Sequence, residues 1–261
     1  MKIGFWNLKA NDIGDCVAKL IIENSLDVLF VCENVNLNIE QILQQELNGY
    51  NYHYNMMHSK IGMIISGNCK LNKIQPSKRY MVCELQKENL KVIIAPVHLY
   101  DNTNGSKSNA RREIFRDIKS IFVDFKGDES ISCFIIGDFN ADPFNDEMLS
   151  KVDLTSVLFK QLMIKNVIKY NGKNYERFYN PVLEMINVND EIFGSFYYES
   201  NESPLYWHCY DQIVMNKDAM EYFDYGEYIQ KIADINLLKN NRPNRDISDH
   251  LPVILKLKGG I

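Results

Sequence analysis

Asp138 and Asn140 stand on either side of Phe139, at the end of an apolar run from Ile131 to Ile136 that Gly137 interrupts. In an extended segment the acid and the amide share one face while Phe139 turns the other way into packing, so both converge on one pocket. Pro143 fixes φ, removes a donor and biases Asp142 away from the helical region, which favours a shaped loop beyond them. Taken by itself, the stretch reads equally as a strand followed by an Asx-rich turn. The same placing recurs elsewhere. Asn7, Glu33 and His98 each close a strand-like run, Asp211 sits among apolar neighbours, and Asp249 and His250 precede the last apolar run. Acids, amides and imidazoles at strand ends are groups that hold hard cations, donate to anions and move protons. His53, His58 and His208 are read as structural and left out of this set.

These side chains need sheets to position them. Lys2 to Leu8 and Asp27 to Cys32 read as strands, the second a continuous apolar run expected for a strand covered on both faces. Between them Ile13, Val17, Leu20 and Ile21 recur near helical period, with Asn11 or Asp12 as the cap. Lys60 to Ser66, Arg79 to Gln86 and Leu90 to Leu99 suggest an antiparallel meander. Asp101 to Ser108 is a polar loop, and Ala110, Ile114, Ile118, Ile121, Phe122 and Phe125 then make one helical stripe. Arg111, Arg112 and Arg116 occupy its first turns, a poor place beside the helix dipole. They read as a solvated face or, for Arg111 or Arg112, as reaching for an anion at the site edge. Glu147 to Tyr206 shows no ordered pattern but is dense in Tyr and Phe, which either stack on bases and sugars or form an aromatic core under long loops. Cys209 to Met215 and Val253 to Lys258 read as the closing strands. No repeat or linker interrupts residues 1–261, so one domain is expected.

Composition sets limits. The chain is 46% hydrophobic and 24% charged, with a net charge of −5 that offers no general attraction to a polyanion. A long nucleic acid would have to be met by a local basic patch or through a metal. No run of 18 or more apolar residues occurs and no signal-peptide pattern opens the sequence, so a protein without membrane contact is expected. The six cysteines form no C-x-x-C pair, which suggests buried reduced thiols in the cytoplasm. Nothing demands a protein partner or a particular oligomer.

Taken in order, Trp6-Asn7, the apolar strand ending at Glu33, His98-Leu99, Gly137-Asp138-Phe139-Asn140, the embedded Asp211 and the terminal Ser248-Asp249-His250 resemble the endonuclease/exonuclease/phosphatase superfamily, the deoxyribonuclease I-like fold. The resemblance runs from Asn7 to His250. It implies an α+β fold, a four-layered α/β/β/α sandwich of two mixed β-sheets with helices outside and the site in a cleft at one end. It also implies phosphate-ester cleavage with a divalent metal, usually Mg²⁺, with Mn²⁺ able to substitute. Glu33 would be the first metal ligand, with Asn7 and Asp249 joining directly or through water, since Mg²⁺ wants few protein oxygens and keeps several waters. Asp138 or His250 would take the proton from an attacking water, with Asp211 orienting His250. Asn140 and His98 would bind the non-bridging oxygens.

Some positions depart from relatives. Cys32 stands where many have Gln, and Gln212 follows Asp211 where Tyr or a similar residue is common. Arg177-Phe178-Tyr179-Asn180-Pro181 and the aromatic stretch around Tyr197 match neither abasic-site endonucleases, sphingomyelinases nor inositol phosphatases. Three functions follow: a metal-dependent nuclease on DNA or RNA; a phosphatase or phosphodiesterase of a small or lipid phosphate, such as an inositol phosphate; or a non-catalytic binding module of the same fold. The last predicts missing site residues, and none is missing.

Overall fold

Every residue of Val28–Cys32 is buried because the strand lies between two layers. Val28, Phe30 and Cys32 enter a central core, while Leu29 and Val31 enter an outer one. In the computed structural model, which describes residues 1–53, 59–101, 107–127, 130–186, 193–199 and 206–259, this alternation repeats in both sheets. Strands β1 (Lys2–Asn7), β2 (Val28–Cys32), β3 (Tyr50–His53) and β4 (Ile61–Ser66) build one sheet with Phe223–Tyr228 and Val253–Leu257. Its order is Phe223–Tyr228, Val253–Leu257, β1, β2, β4, β3, with β1 and β2 parallel and the other pairs antiparallel.

The second sheet runs β5 (Lys70–Pro76), β6 (Met81–Lys87), β7 (Leu90–His98), β8 (Ser132–Asp138), then Asp211–Met215, Phe178–Tyr179 and Ser156–Val157. β7 and β8 are parallel, and Asp211–Met215 returns antiparallel beside β8. Phe5, Ile94, Phe134, Ile136 and Ile213 share the core between the sheets. Helices α1 (Gly14–Asn24) and α2 (Ile39–Gln45) cover the first sheet through Val17, Leu20, Ile21 and Ile42. Helix α3 (Ser108–Lys126) covers the second through Ile114, Phe115, Ile118 and Phe122. This is the four-layered sandwich that the sequence implied.

Several local expectations are corrected. The three-strand meander is split: β4 pairs with β2 in the first sheet, and the strand beside β6 is β5, whose polar Lys-Leu-Asn-Lys pattern concealed it. Neither Asn11 nor Asp12 caps α1, because Asn11 instead donates to the carbonyl of Ile247, 2.9 Å away. The interior of the loop 102–106, like His58, lies outside the described residues. Of the aromatics between Glu147 and Tyr206, Phe178 and Tyr179 are core, whereas Tyr170, Tyr198 and Tyr206 are exposed. All six cysteines are free, and among the described residues no helix is long and apolar enough to cross a membrane.

Of the arginines of α3, Arg116 keeps the exposed side chain of a solvated face, while Arg111 and Arg112 do neither thing expected of them. Arg111 is buried, donating through Nε to Glu147 Oε1 at 2.7 Å and through Nη1 to the Tyr100 carbonyl at 2.7 Å. Arg112 and Arg116 converge on the buried Asp153, both at 2.6 Å. These pairs clamp the segment after β8 onto the helix. Removing one partner of a buried pair leaves an uncompensated charge. Arg111→Leu is therefore expected to lose about 3–5 kcal/mol in a urea unfolding titration. Most of that loss should return in the Arg111→Leu/Glu147→Met double variant.

Candidate active site

Strand direction brings the site residues to one end of the sandwich. Asn7 closes β1, Glu33 follows β2, His98 closes β7 and Asp138 closes β8. His98 is level with Asp138 in the parallel pair, and Asp211 is level with Asp138 in the antiparallel one. The last approach is held by the backbone. Ser248 Oγ donates to the Asn7 carbonyl at 2.6 Å and accepts from His250 N–H at 3.1 Å, and the Trp6 indole donates to the His250 carbonyl at 3.0 Å. The Ser-Asp-His segment is thereby pinned to β1.

Asp138, fully enclosed, is the centre of the cluster. Its Oδ2 accepts from Asn7 Nδ2 and from Asn140 Nδ2, each at 3.2 Å, and its Oδ1 accepts from Asn140 N–H at 2.9 Å. The Nε2 atoms of His98 and His250 lie 3.8 and 3.9 Å from the same Oδ2. Burial pushes the Asp138 carboxyl up to about 7, with the His250 charge opposing and the Asp211 charge adding to the rise. The acid and amide do share one pocket, but through a turn: Asn140 adopts φ +47°, and its side chain folds back over Asp138. Phe139 packs the other way, 6.0 Å from Phe115.

His250 Nδ1 lies 2.7 Å from Asp211 Oδ2, which makes Nδ1–H the donor and leaves Nε2 facing Asp138. Burial would lower its pKa, but the charges of Asp211 and then Asp138 outweigh it and push the imidazole up to about 10. His98 behaves oppositely. Burial first, then the Arg79 and His250 charges, bring it down to about 3. One imidazole is thus cationic and the other neutral, within reach of one carboxylate.

Glu33 adopts φ +50° and turns its carboxylate to Asn7 Nδ2 at 3.3 Å and His98 Nε2 at 3.4 Å. Asp249 is only partly exposed and pairs with Lys9 at 3.6 Å. Among the described residues no three His, Cys, Asp or Glu side chains stand close enough to cage an ion. That donor set still fits Mg²⁺, which needs one or two carboxylates and fills its other positions with water and substrate oxygens. Glu33 has the accessible carboxylate for it, whereas Asn7 Oδ1, the side-chain amide oxygen, already accepts from Lys9 N–H at 3.0 Å and fits better through water.

Several contributors carried no sequence signal of their own. The Phe196 ring lies 4.7 Å from the His250 ring, and the two residues form a β-bridge. Ser195 Oγ accepts from Asp211 N–H at 3.0 Å. Behind the Asp138 turn, Asn180 donates to Gln212, which donates to the Ala141 carbonyl, both at 2.6 Å. Gln212 and Asn180 both belong to segments that departed from relatives, and that departure was the available signal. His208, read as structural, has Nδ1 2.7 Å from Asp142 Oδ2 and stacks on Tyr210 at 4.8 Å.

The sequence matches the profile of the Endonuclease/Exonuclease/phosphatase family over residues 4–250. Among solved structures it is similar to D. rerio TDP2 complexed with single-strand DNA product, with TM-score 0.62, 16% identity, and 99% of each chain covered. It is similar to a Bacteroides thetaiotaomicron mannosyl-6-phosphatase, with TM-score 0.63, 13% identity, and 99% of this chain and 100% of that one covered. It is similar also to the human Nocturnin catalytic domain with bound sulfate, with TM-score 0.62, 14% identity, and 99% and 94% covered. No curated protein matches the sequence.

The His250–Asp211 geometry is directly measurable. In Asp211→Asn the largest of the three raising charges, those of Asp211, Asp138 and Asp249, is gone while burial remains, so the His250 pKa should fall well below about 10. Imidazole-resolved NMR titration reads this, and an unmoved His250 would contradict the pairing.

Proposed function

This chain belongs to the endonuclease/exonuclease/phosphatase family, whose members hydrolyse phosphoesters, and we propose that it is a divalent-metal-dependent phosphodiesterase, a nuclease acting on DNA or RNA. The observation that carries the reading is the buried Asp138 carboxylate ringed by Asn7, Asn140, His98 and His250. A structural carboxylate needs only its donors satisfied; this one also has two imidazole Nε2 atoms turned toward it at 3.8 and 3.9 Å, just beyond hydrogen-bond length, so that proton-moving groups of different charge converge on one point. Glu33 would hold the Mg²⁺ or Mn²⁺, with Asn7 and Asp249 reaching it through water. When bound, the cation would polarise a phosphoryl oxygen and offset the charge that grows there.

The chain's own groups divide the remaining work by their charge. Asp138, raised toward neutrality by burial, takes the proton of the attacking water. His250, already cationic, is a poor base and instead donates through Nε2 to a non-bridging oxygen. Asp211 fixes the tautomer and orientation of that ring. Asn140, whose amide donates to Asp138 and to the Leu99 carbonyl, would serve as a neutral donor by exchanging its Asp138 bond for the phosphoryl group, and the neutral His98 would donate through Nε2, the nitrogen that faces Glu33 and Asp138. The six free thiols suit a reducing compartment such as the cytoplasm.

A Mg²⁺- and Mn²⁺-dependent assay on single- and double-stranded DNA, RNA, bis-p-nitrophenyl phosphate, and sugar and inositol phosphates tests the reading. Polynucleotide cleavage that Asp138→Ala abolishes is the expected result; turnover of small monoesters alone would replace it with a phosphatase. His250→Ala is expected to lower kcat by about 10²–10³, the usual loss for a single oxyanion donor. Glu33→Gln should raise the Mg²⁺ concentration needed for half-maximal rate, and an unchanged requirement would mean that the ligand lies elsewhere.

A further inference from the structure

Beside the acid pocket, and sharing Asp249 with it, opens a cleft of about 620 Å³ between the residues around Tyr197 and the segment 239–246. The short hairpin of Phe196–Tyr197 and Trp207–His208 separates the two spaces by its alternation. Phe196 faces His250, and Tyr197 faces the cleft. The cleft therefore lies across this strand pair from the His250 ring, with Asp249 next to that histidine in its lining.

The cleft walls carry flat groups, with three basic side chains, Lys239, Arg242 and Arg245, balanced by Glu199, Asp246 and Asp249. The Arg242 guanidinium lies over the Tyr197 ring at 4.5 Å, and Glu199 fixes its plane with bonds of 2.7 and 3.5 Å. Trp207, edge-on at 5.4 Å, and Tyr206, at 6.1 Å, brace Tyr197 from the hairpin. Tyr198 is 53% exposed at the cleft wall, a large ring surface that the core does not use. Lys239 at the rim pairs with Asp246 at 3.0 Å, but among the described residues no carboxylate oxygen lies within 4.0 Å of the Arg245 guanidinium. Flat rings and a prebuilt guanidinium stack suit a planar heteroaromatic group, and an uncommitted cation beside them suits an anion attached to it.

Given the phosphodiester hydrolysis proposed above, we propose that this cleft is a nucleobase subsite. It takes the base of the nucleotide next to the scissile phosphate, stacked on Tyr198 against the Tyr197–Arg242 pair, with Arg245 on the following phosphate. The volume fits about one nucleotide, in the range of ligand pockets generally. A base can lie on a protein ring only when it is out of its own helix, so the subsite selects single-stranded or frayed substrate over intact duplex.

The test compares kcat/KM on a short single-stranded oligonucleotide, the same oligonucleotide with an abasic sugar at the position beside the cut, its duplex, and bis-p-nitrophenyl phosphate, with wild-type, Tyr198→Ala and Arg242→Met proteins. Wild-type protein is expected to prefer the base-bearing single strand, and Tyr198→Ala to raise its KM about tenfold while the abasic substrate changes far less. Arg242→Met should narrow the same base-bearing to abasic ratio, and melting curves check that both variants fold. Equal losses on base-bearing and abasic substrates would overturn the subsite while leaving the phosphodiesterase standing. Wild-type silence on every diester would remove both, and duplex cleavage as fast as single-strand cleavage would overturn the unpaired-base requirement.

Discussion

A carboxylate without access to water must find its solvation inside the protein, and Asp138 is such a group. Its donors come from two places in the chain, Asn7 at the end of the other sheet and Asn140 in the turn that follows it, while the charge of His250 approaches to 3.9 Å from the segment before the last strand. The two sheets must therefore meet at this end in one register, since a shift of one residue in β1 would turn Asn7 outward and leave Asp138 short of a donor. The same bonds that solvate the acid fix the spacing of the pocket, so stability and function rest on one arrangement.

That arrangement draws on unfavourable backbone. Gly137 has φ +138°, and a Cβ there would stand 2.2 Å from the Val97 carbonyl oxygen, so only glycine lets β7 and β8 close up just before Asp138. Glu33 and Asn140 are both left-handed without being glycine, and Lys9 and Ala10 are left-handed in succession beside Asp249. For Asn140 the cost is modest, because an Asn side chain bonds its own turn. Glu33 has no such relief, and its conformation persists because β2 and the Ala10 N–H bond to the Glu33 carbonyl at 2.7 Å hold it. The strain aims a carboxylate out of the sheet end and into the cleft, where a chain continuing straight would have carried it past.

The main strands were legible because each is covered on both faces and so reads as a continuous apolar run bounded by polar punctuation, as in Val28–Cys32 and Ser132–Asp138. What was not legible follows the same logic. β5 is mostly solvent-exposed at the sheet edge, so its residues carry no hydrophobic period. The described residues between 147 and 206 form strands of two to four residues and short helical turns, and Asn180 among them is held by Gln212; local pattern cannot see a bond between residues 32 apart. The site residues were visible as types at strand ends. Phe196 and Ser195 were not, because a phenyl ring and a hydroxyl acquire meaning only from the His250 and Asp211 they touch.

Net charge was the least informative quantity, and the structure shows why. Three arginines that a basic groove would need, Arg111, Arg112 and Arg116, are committed to two carboxylates on α3's side of the sheet, Arg111 buried on Glu147 and the other two sharing Asp153. Most of their positive charge is offset within bond length and stabilises the fold. The cations that do face the site come from loops. Arg79 lies 4.3 Å over the Tyr100 ring and, with Lys60, is close enough to depress the His98 pKa. Arg245 stands across the pocket, in the cleft that begins at Asp249. Charges within a few ångströms of an anion act below the Debye length, whereas a total of −5 spread over the whole surface is screened beyond it. A net acidic charge therefore says little about the field at one place on the surface.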